Sequence, residues 1–261
     1  VASMVALGAE AGESALDVAN RAELVLISLP MPDIVHEVLL GAQGVADGAA
    51  VKVVVDLSTS GPAMAQRLAE GLAANGIASF DAPVSGGVAG ARDGKLSLMA
   101  SGPEIDWPQV EAVLLHFGKV FYMGETPGAG QTMKLVNNLL GATAIAVTAE
   151  GMTLGIKAGL DPAKMIEVLN QSTGVNSGTR DKWPKSVLTR TFDFGFAAAL
   201  SHKDMRLCVD EAEGLGVHLG IGTHVRDLLR RVLDEVGPDA DFTAMALVTE
   251  KDAGLDLGVV K

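Results

Sequence analysis

The chain has 261 residues, of which 48% are hydrophobic and 20% charged. This is long enough for one large domain or two ordinary ones, and too apolar for a disordered chain. The formal net charge of −12 repels phosphate backbones and anionic lipid, which argues against nucleic acids and membrane surfaces as partners. Cys208 is the single cysteine, and it indicates a reducing, cytoplasmic compartment.

Membrane insertion and secretion are not expected from the pattern of apolar residues. The longest apolar run covers residues 139–149, whereas a membrane-spanning helix needs roughly 20 apolar residues. No basic segment precedes an apolar one at the start of the sequence, so a secretory signal is not predicted.

The first half of the sequence alternates apolar runs with amphipathic stretches. The runs predict strands at 25–29, 51–56, 77–81, 96–100 and 120–123, and the stretches predict helices at 14–22, 33–40, 63–74 and 105–117. Near-continuous apolar strands are typical of a parallel sheet covered on both faces. Ser14 and Asp17 have the spacing of a capping box and predict the start of the first helix.

The second half shows no strand pattern. Helical periodicity covers 130–158 and returns at 162–171, 197–215 and 223–236. The glycines and proline of 125–130 predict the boundary between an α/β domain at 1–127 and an all-α domain at 128–261. The long helix would join these domains, and clefts between domains are common ligand sites.

Gly128 and Gly130 follow a predicted strand and open the long helix, which suggests a dinucleotide-binding fingerprint. The third glycine is absent, and the acid about twenty residues on, Glu150, lies in the same helix instead of ending the next strand. We therefore interpret these glycines as permitting close packing at the start of the helix.

The long helix carries a polar face. Gln131, Lys134 and Asn138 are spaced three and four residues apart, which places them on one side. Two interpretations of Lys134 remain open: an ordinary solvated lysine near a helix start, or a general acid or base in a cleft.

Further polar groups follow the predicted strands. The Ser-Gly-Gly sequence at 85–87 either offers a hydroxyl and backbone N–H groups to an anion at the carboxyl edge of the sheet, or forms a plain turn. The hydroxyls of 56–61 either cap the next helix or face the same crevice. Ser201 and Asp204 have capping-box spacing, so Asp204 is a candidate for a helix start.

Metal and hydrolytic chemistry have little support in the sequence. The five histidines, at 36, 116, 202, 218 and 224, show no ligand-like pairing with carboxylates. No G-x-S-x-G nucleophile elbow is present. We expect no metal site.

Taken in order, five segments resemble the 3-hydroxyisobutyrate dehydrogenase (β-hydroxyacid dehydrogenase) family. They are Ser28-Leu29-Pro30, Asp56 to Thr59, Asp81 to Gly87, Gly128 to Asn138 and Lys203-Asp204. The resemblance spans essentially the whole chain. It implies a Rossmann-like domain followed by an all-α domain, with NAD or NADP as cofactor. The implied reaction is oxidation of a small β-hydroxyacid or the reverse reduction of its semialdehyde.

The resemblance also implies roles for individual residues. Lys134 would be the general acid/base, and Asn138 would orient the substrate and the lysine. The residues implied to hold the substrate carboxylate are Ser85, Gly86 and Gly87. Those implied to contact the cofactor are Leu29, Pro30, Thr59 and Lys203. The segment 172–180 would help to select between 3-hydroxyisobutyrate and 2-hydroxy-3-oxopropionate as substrates.

One departure from the family pattern concerns the start of the sequence. The family begins with a strand, a Gly-rich loop, a helix and a second strand, and residues 1–8 resemble a segment beyond them. About 30 further residues are therefore expected before Val1, including the residue that selects NAD or NADP. The alternative is a non-catalytic binding or scaffold protein that kept the fold and lost cofactor binding. The resemblance further implies a homodimer or homotetramer.

Overall fold

A computed structural model describes residues 1–255, 257 and 258, which fall into two compact units. The first unit is Val1–Lys134 and the second is Leu135–Lys261. The helix that contains this division, Ala129–Lys157, begins next to the boundary expected after residue 127. That domain boundary stays a prediction.

The first unit is an α/β structure. Its described strands are β1 (Leu24–Ile27), β2 (Val53–Asp56), β3 (Ala78–Asp81), β4 (Val84–Ser85), β5 (Leu96–Ala100) and β6 (Gly118–Tyr122). Its helices are α1 (Ala2–Val5), α2 (Ala15–Ala19), α3 (Pro32–Leu40), α4 (Pro62–Ala73), α5 (Gly87–Arg92) and α6 (Trp107–Leu114). The five predicted strands are present within two residues of their expected bounds, and the predicted cap of α2 is confirmed by the hydrogen bond from Asp17 N to Ser14 Oγ, 3.1 Å long.

The strands form two three-stranded sheets. β1, β2 and β3 are parallel, and their register places Ile27, Asp56 and Asp81 side by side at the carboxyl edge. β5 and β6 are also parallel, but β4 is antiparallel to β5, and Asp81 and Ser101 form an antiparallel bridge. The predicted parallel pairing is therefore confirmed for β1 to β3 and for β5 with β6, and β4 adds one antiparallel pair. A strand of two residues, β4, is too short to show periodicity in the sequence.

The first sheet is buried on both faces. Val54 packs into one apolar cluster with Leu39 and Leu72, whereas Val53 and Val55 pack into another. Successive side chains of a strand point to opposite faces, so a continuous valine run fills both clusters. This burial explains why β2 is apolar throughout until Asp56.

The second unit is helical. Its described elements are α7 (Ala129–Lys157, shared with the first unit), α8 (Pro162–Asn170), a π-helix (Gly178–Val187), α9 (Ala198–Gly214), α10 (Gly220–Glu235) and α11 (Met245–Asp252). Their core is one apolar cluster that includes Ile145, Met152, Trp183, Leu229 and Met245. The sequence predicted α7 to α10 but neither α11 nor the π-helix, which contains Pro184 and is therefore difficult to recognise from helical periodicity.

The start of α7 is packed tightly against the strand ends of the first unit. A Cβ atom at Gly130 would overlap the Met99 carbonyl oxygen and lie 2.8 Å from Asp81 Oδ2. Gly128 has a φ of +91°, a conformation that favours glycine. The backbone N–H groups of both glycines already donate within the protein, to Asp81 Oδ1 and Ser101 Oγ. These contacts agree with a packing role and leave neither N–H group for a phosphate.

This packing predicts opposite effects for two glycine substitutions in the same helix. Gly130→Ala should lower the free energy of unfolding by about 3 kcal/mol, because the methyl group has no space. Gly151→Ala should raise it by about 0.5–1 kcal/mol, because a Cβ there meets no atom within 4 Å and alanine favours a helix. Urea denaturation of both variants measures the difference, and equal effects would contradict the tight packing at Gly130.

Candidate active site

Asp81, at the carboxyl end of β3, fixes the start of α7. Its Oδ1 accepts hydrogen bonds from Ser101 Oγ (2.6 Å) and Gly128 N (2.8 Å), and its Oδ2 accepts one from Gln131 N (2.9 Å). Burial raises the pKa of Asp81, and these hydrogen bonds oppose the rise. The carboxylate therefore positions the helix start at an electrostatic cost.

Asp56, at the carboxyl end of β2, organises the following loop. Its Oδ1 accepts from Ser58 N (2.8 Å) and its Oδ2 from Ser60 Oγ (2.9 Å). The Ser58 hydroxyl in turn accepts from Leu29 N, 2.8 Å away, and so fixes the chain after β1. Burial also raises the pKa of Asp56, against the hydrogen bonds of Ser58 and Ser60.

Gln131 connects this loop to α7. Its Oε1 accepts from the backbone N–H groups of Ser60 and Gly61, both at 3.1 Å, and its Nε2 donates to the Ser58 carbonyl at 2.9 Å. Of the two alternatives for the loop hydroxyls, capping of α4 is wrong, because the N-cap of α4 is Gly61 and no side chain caps the helix. The hydroxyls of Ser58 and Ser60 are used by Leu29 and Asp56 instead.

The three residues of the first unit expected to contact a cofactor lie in the loops after β1 and β2. Leu29 and Pro30 follow β1, and Thr59 follows β2. Because Ile27 and Asp56 are in register, both loops leave the sheet at one edge. The carboxyl edge of parallel strands is where open α/β sheets bind ligands.

The Ser-Gly-Gly sequence spans the end of β4 and the start of α5. Ser85 ends the strand, and Gly86 and Gly87 have φ values of +132° and +62°. Both glycines are exposed, and a Cβ atom at Gly87 would meet no atom within 4 Å. The backbone here is open to a ligand and has a conformation that other residues rarely adopt.

Lys134 lies one helical turn after Gly130 and is only 8% exposed. The interpretation as an ordinary solvated lysine is therefore wrong. Asn138 follows on α7 at the i+4 position, so the two side chains share one face of the helix.

In the second unit, Asp204 connects two of the residues singled out from the sequence. Asn138 Nδ2 donates to Asp204 Oδ2 at 2.6 Å, and Lys203 Nζ lies 3.1 Å from Asp204 Oδ1. Lys203 and Asp204 are both buried. The Lys203-Asp204 pair could be recognised in the sequence, but nothing indicated that its carboxylate would bind α7, because the two residues in that contact are 66 positions apart.

The expected capping box at Ser201 is wrong. α9 begins at Ala198 with Ala197 as its N-cap, which places Ser201 and Asp204 inside the helix. At this earlier start the Ala198 N–H group donates to the Ala240 carbonyl at 2.8 Å. Asp204 is thereby available to bind Lys203 and Asn138.

The remaining candidates for redox or metal chemistry are few. Within the described parts of the chain, no group of three His, Cys, Asp or Glu side chains is placed to hold a metal ion. Cys208 is free and buried, and burial raises the pKa of its thiol. A buried thiol of raised pKa is a poor nucleophile.

Known proteins are similar to this chain over most of its length. Residues 1–124 match a model described as the NAD binding domain of 6-phosphogluconate dehydrogenase. Residues 128–249 match one described as the NAD-binding of NADP-dependent 3-hydroxyisobutyrate dehydrogenase.

Individual relatives point the same way. The 3-hydroxyisobutyrate dehydrogenase of Pseudomonas aeruginosa is 36% identical over 254 residues, which cover 94% of this chain and 85% of the relative. The 2-(hydroxymethyl)glutarate dehydrogenase of Eubacterium barkeri is 38% identical over 212 residues, 80% of this chain and 70% of the relative. The crystal structure of a 3-hydroxyisobutyrate dehydrogenase from Salmonella typhimurium has a TM-score of 0.83 at 29% identity, covering 95% of this chain and 87% of that one.

The buried network predicts a pH-dependent gain from Asp56→Asn. Asparagine can accept from Ser58 N and donate to Ser60 Oγ, so both bonds remain while the buried charge is removed. The pKa of Asp56 in the folded protein is raised above its ordinary value of 3.8. Protonation of Asp56 therefore stabilises the folded state. This stabilisation is complete below the pKa of the unfolded chain and is lost as the pH rises through the pKa of the folded protein. The stability of Asp56→Asn relative to wild type should therefore increase from pH 4 to pH 7.5 in urea denaturation.

The control is Asp93→Asn, whose side chain is 55% exposed and which should change little over this range. A relative stability of Asp56→Asn that stays constant or falls with pH would contradict the buried-charge account.

Proposed function

Because the chain belongs to the 3-hydroxyisobutyrate dehydrogenase family, it is an NAD(P)-dependent dehydrogenase of a small β-hydroxyacid, and we propose that Lys134 is its general acid/base. The burial of Lys134 is the observation that carries this proposal. A lysine in a fixed helical turn, largely removed from water, exchanges protons with a bound hydroxyl group rather than with solvent. The relatives give no support to the non-catalytic alternative.

The proposed proton transfer accompanies oxidation at the hydroxyl-bearing carbon. When bound, NAD or NADP would supply the acceptor for the hydride that leaves that carbon. Neutral Lys134 takes the hydroxyl proton at Nζ while the C–O bond becomes a carbonyl. In the reverse direction the Lys134 ammonium returns that proton to the semialdehyde oxygen. Asn138, one turn further along α7 and held by Asp204, orients the substrate oxygen toward the lysine.

Ser85, Gly86 and Gly87 are proposed to hold the substrate carboxylate. The Ser85 hydroxyl and the N–H groups of two exposed glycines are donors that fit a carboxylate, and the glycines place no side chain in its way. Their positive φ values are conformations that glycine adopts readily, so the loop can form without a side chain that would cover its N–H groups.

The cofactor is proposed to contact Leu29, Pro30, Thr59 and Lys203. The first three lie on loops that leave one edge of the parallel sheet, and Ser58 and Gln131 hold the backbone of these loops by buried hydrogen bonds. Lys203, whose Nζ lies 3.1 Å from Asp204 Oδ1, is proposed to bind an anionic part of the cofactor. These residues fit a dinucleotide, although they do not select between NAD and NADP.

The substrate is proposed to be 3-hydroxyisobutyrate, 2-hydroxy-3-oxopropionate or a related hydroxyacid. The segment 172–180 leads into the π-helix and is proposed to set this choice. The relative from Eubacterium barkeri is named for 2-(hydroxymethyl)glutarate, which carries two carboxylates, so the family accommodates acids of different charge. We also propose a cytoplasmic location, which the free Cys208 supports.

An exposed apolar face of α7 supports a homo-oligomer. Leu140, Val147 and Leu154, spaced by seven residues, are 66%, 54% and 73% exposed. Val147 also borders an apolar groove of about 650 Å³ whose lining includes Leu160 and Val168. Exposed apolar patches of this kind mark interaction surfaces. A second copy of the chain is the proposed partner for this face.

Among the described helices, α7 alone is long and apolar enough to cross a membrane, judged by length and composition. The exposed apolar face contributes to that composition. Its other side packs into the helical core through Ile145, Ala149 and Met152. The core helix of a protein that does not enter lipid can have the same length and composition when its outer face is also apolar.

The oligomer proposal is tested by placing charge on the face. The double variant Leu140→Glu/Leu154→Glu should sediment as a smaller species than wild type, because the carboxylates would be buried in the interface. Leu215→Glu is the control, since Leu215 is equally exposed at 66% and lies beyond the end of α9. A wild-type monomer would contradict the proposal, and binding of wild type to phosphatidylcholine vesicles would assign the face to a membrane.

The catalytic proposal is tested by Lys134→Ala. The kcat for oxidation of a β-hydroxyacid should fall roughly 10²- to 10⁴-fold, the usual contribution of a general acid or base. Lys157→Ala, at the exposed end of the same helix, should leave kcat unchanged. Near-normal turnover by a folded Lys134→Ala enzyme that still binds cofactor would overturn the assignment.

A further inference from the structure

The exposed apolar face of α7 has a regular pattern of large and small side chains. Its large residues, Leu140, Val147 and Leu154, alternate along the helix with the small residues Ala144, Gly151 and Ala158. The steps between them are four and three residues in turn, which keeps all six on one side of a helix, as in a coiled coil. These six residues are called the α7 stripe below.

The small residues of the α7 stripe leave depressions on the surface of the helix. Gly151 and Ala158 are exposed, and a Cβ atom at Gly151 would meet no neighbouring atom within 4 Å. Ala158 continues the helical hydrogen bonding, because its N–H group donates to the Leu154 carbonyl at 3.0 Å. Each protruding side chain of the stripe is therefore followed by a place where another side chain could fit.

This pattern is complementary to itself when a second copy of α7 runs in the opposite direction. If Val147 of one copy faces Gly151 of the other, the same register places Leu140 opposite Ala158 and Ala144 opposite Leu154. Each contact then occurs twice about a two-fold axis, as a symmetric dimer requires. A parallel pair in register would instead place large residues against large ones and leave the depressions empty.

Charge also favours a second copy of the chain as the occupant of this face. The net charge of −12 makes two copies repel each other where their acidic surfaces meet. None of the six stripe residues is charged. The stripe is thus a face at which two acidic molecules can come into contact. A lipid surface would cover it without using the alternation of side-chain size.

The exposed apolar area reaches the size that a specific dimer needs. Leu160 and Val168, at the groove beside α7, are 57% and 56% exposed and add to the large stripe residues. The exposed fractions of these five side chains amount to about three whole aliphatic side chains per copy, or roughly 300 Å² at about 100 Å² each. Because interfaces are only about 60% apolar, two copies would bury about 1,000 Å² in total, the lower limit for a specific interface.

We propose that two copies of the chain pair through antiparallel α7 helices, with Val147 of each copy against Gly151 of the other and the groove beside α7 covered by the opposite helix. This inference deepens the homo-oligomer of the proposed function, because it names the orientation and register of the two copies. It does not depend on the proposed catalytic role of Lys134.

Mixing two single-residue cysteine variants tests the orientation. Leu140→Cys and Ala158→Cys are purified separately, one with a tag of different mass, then exchanged under reducing conditions and oxidised. The mixture should form a disulfide-linked dimer with one chain of each kind, because the two positions face each other. Each variant alone should not, since its two cysteines would lie about 27 Å apart along the helix axis. Wild type, whose single Cys208 is buried, is the control for background cross-linking.

Filling a depression tests the register. Gly151→Leu places a large side chain where Val147 of the other copy must lie, so the dissociation constant of the dimer should rise roughly tenfold or more in sedimentation equilibrium. Gly214→Leu is the matched control, because Gly214 is also an exposed helical glycine with open space around it, at the end of α9. It should dimerise as wild type does.

The proposed orientation and the proposed oligomer fail in different ways. A dimeric wild type whose mixed cysteine variants do not cross-link overturns the antiparallel pairing and leaves the homo-oligomer standing. Cross-linking of Leu140→Cys with itself, or an unchanged dissociation constant in Gly151→Leu, overturns it as well. A monomeric wild type overturns both the pairing and the homo-oligomer, whereas the dehydrogenase activity is decided separately by turnover of Lys134→Ala.

Discussion

The buried polar network at the edge of the first sheet is the constraint on which the rest of the candidate site depends. Asp81 holds the start of α7 through three hydrogen bonds, and Gln131 ties that start to the loop after β2. Leu29 is held in turn through Ser58. Because α7 continues without interruption, the position of its start also determines where the helix face that carries Lys134 and Asn138 begins.

This network fixes the positions of two loops and a helix start more than it contributes to the stability of the fold. Burial raises the pKa of Asp56 and of Asp81, which means that their charged forms are disfavoured by desolvation more than the hydrogen bonds compensate. A core of apolar residues at these positions would be no less stable in general. It would not hold two loops and a helix start in one fixed arrangement, because apolar contacts have no direction.

Features that depend on neighbouring residues could be predicted from the sequence, whereas contacts between residues far apart in the chain could not. The valine run of β2, the tightly packed glycines at the start of α7 and the Ser14 cap each follow from local pattern, and all are present. The spacing places Gln131 on one helix face with Lys134, but its partners lie 70 to 73 residues away in the loop after β2, where no periodicity could indicate them. The contact of Asp204 with α7 was missed for the same reason.

The buried lysines Lys134, Lys182 and Lys203 are best understood against the acidity of the whole chain. A protein with a net charge of −12 repels the carboxylates and phosphates of its ligands at long range. Salt screens that repulsion beyond about 8 Å, so binding must depend on cations placed within contact distance. Lys203 has Asp204 beside it, whereas Lys182 Nζ donates to Ser177 Oγ and, among the described residues, has no carboxylate within ion-pair distance. A buried lysine of the second kind discriminates between ligands by charge, because only an anion compensates its desolvation.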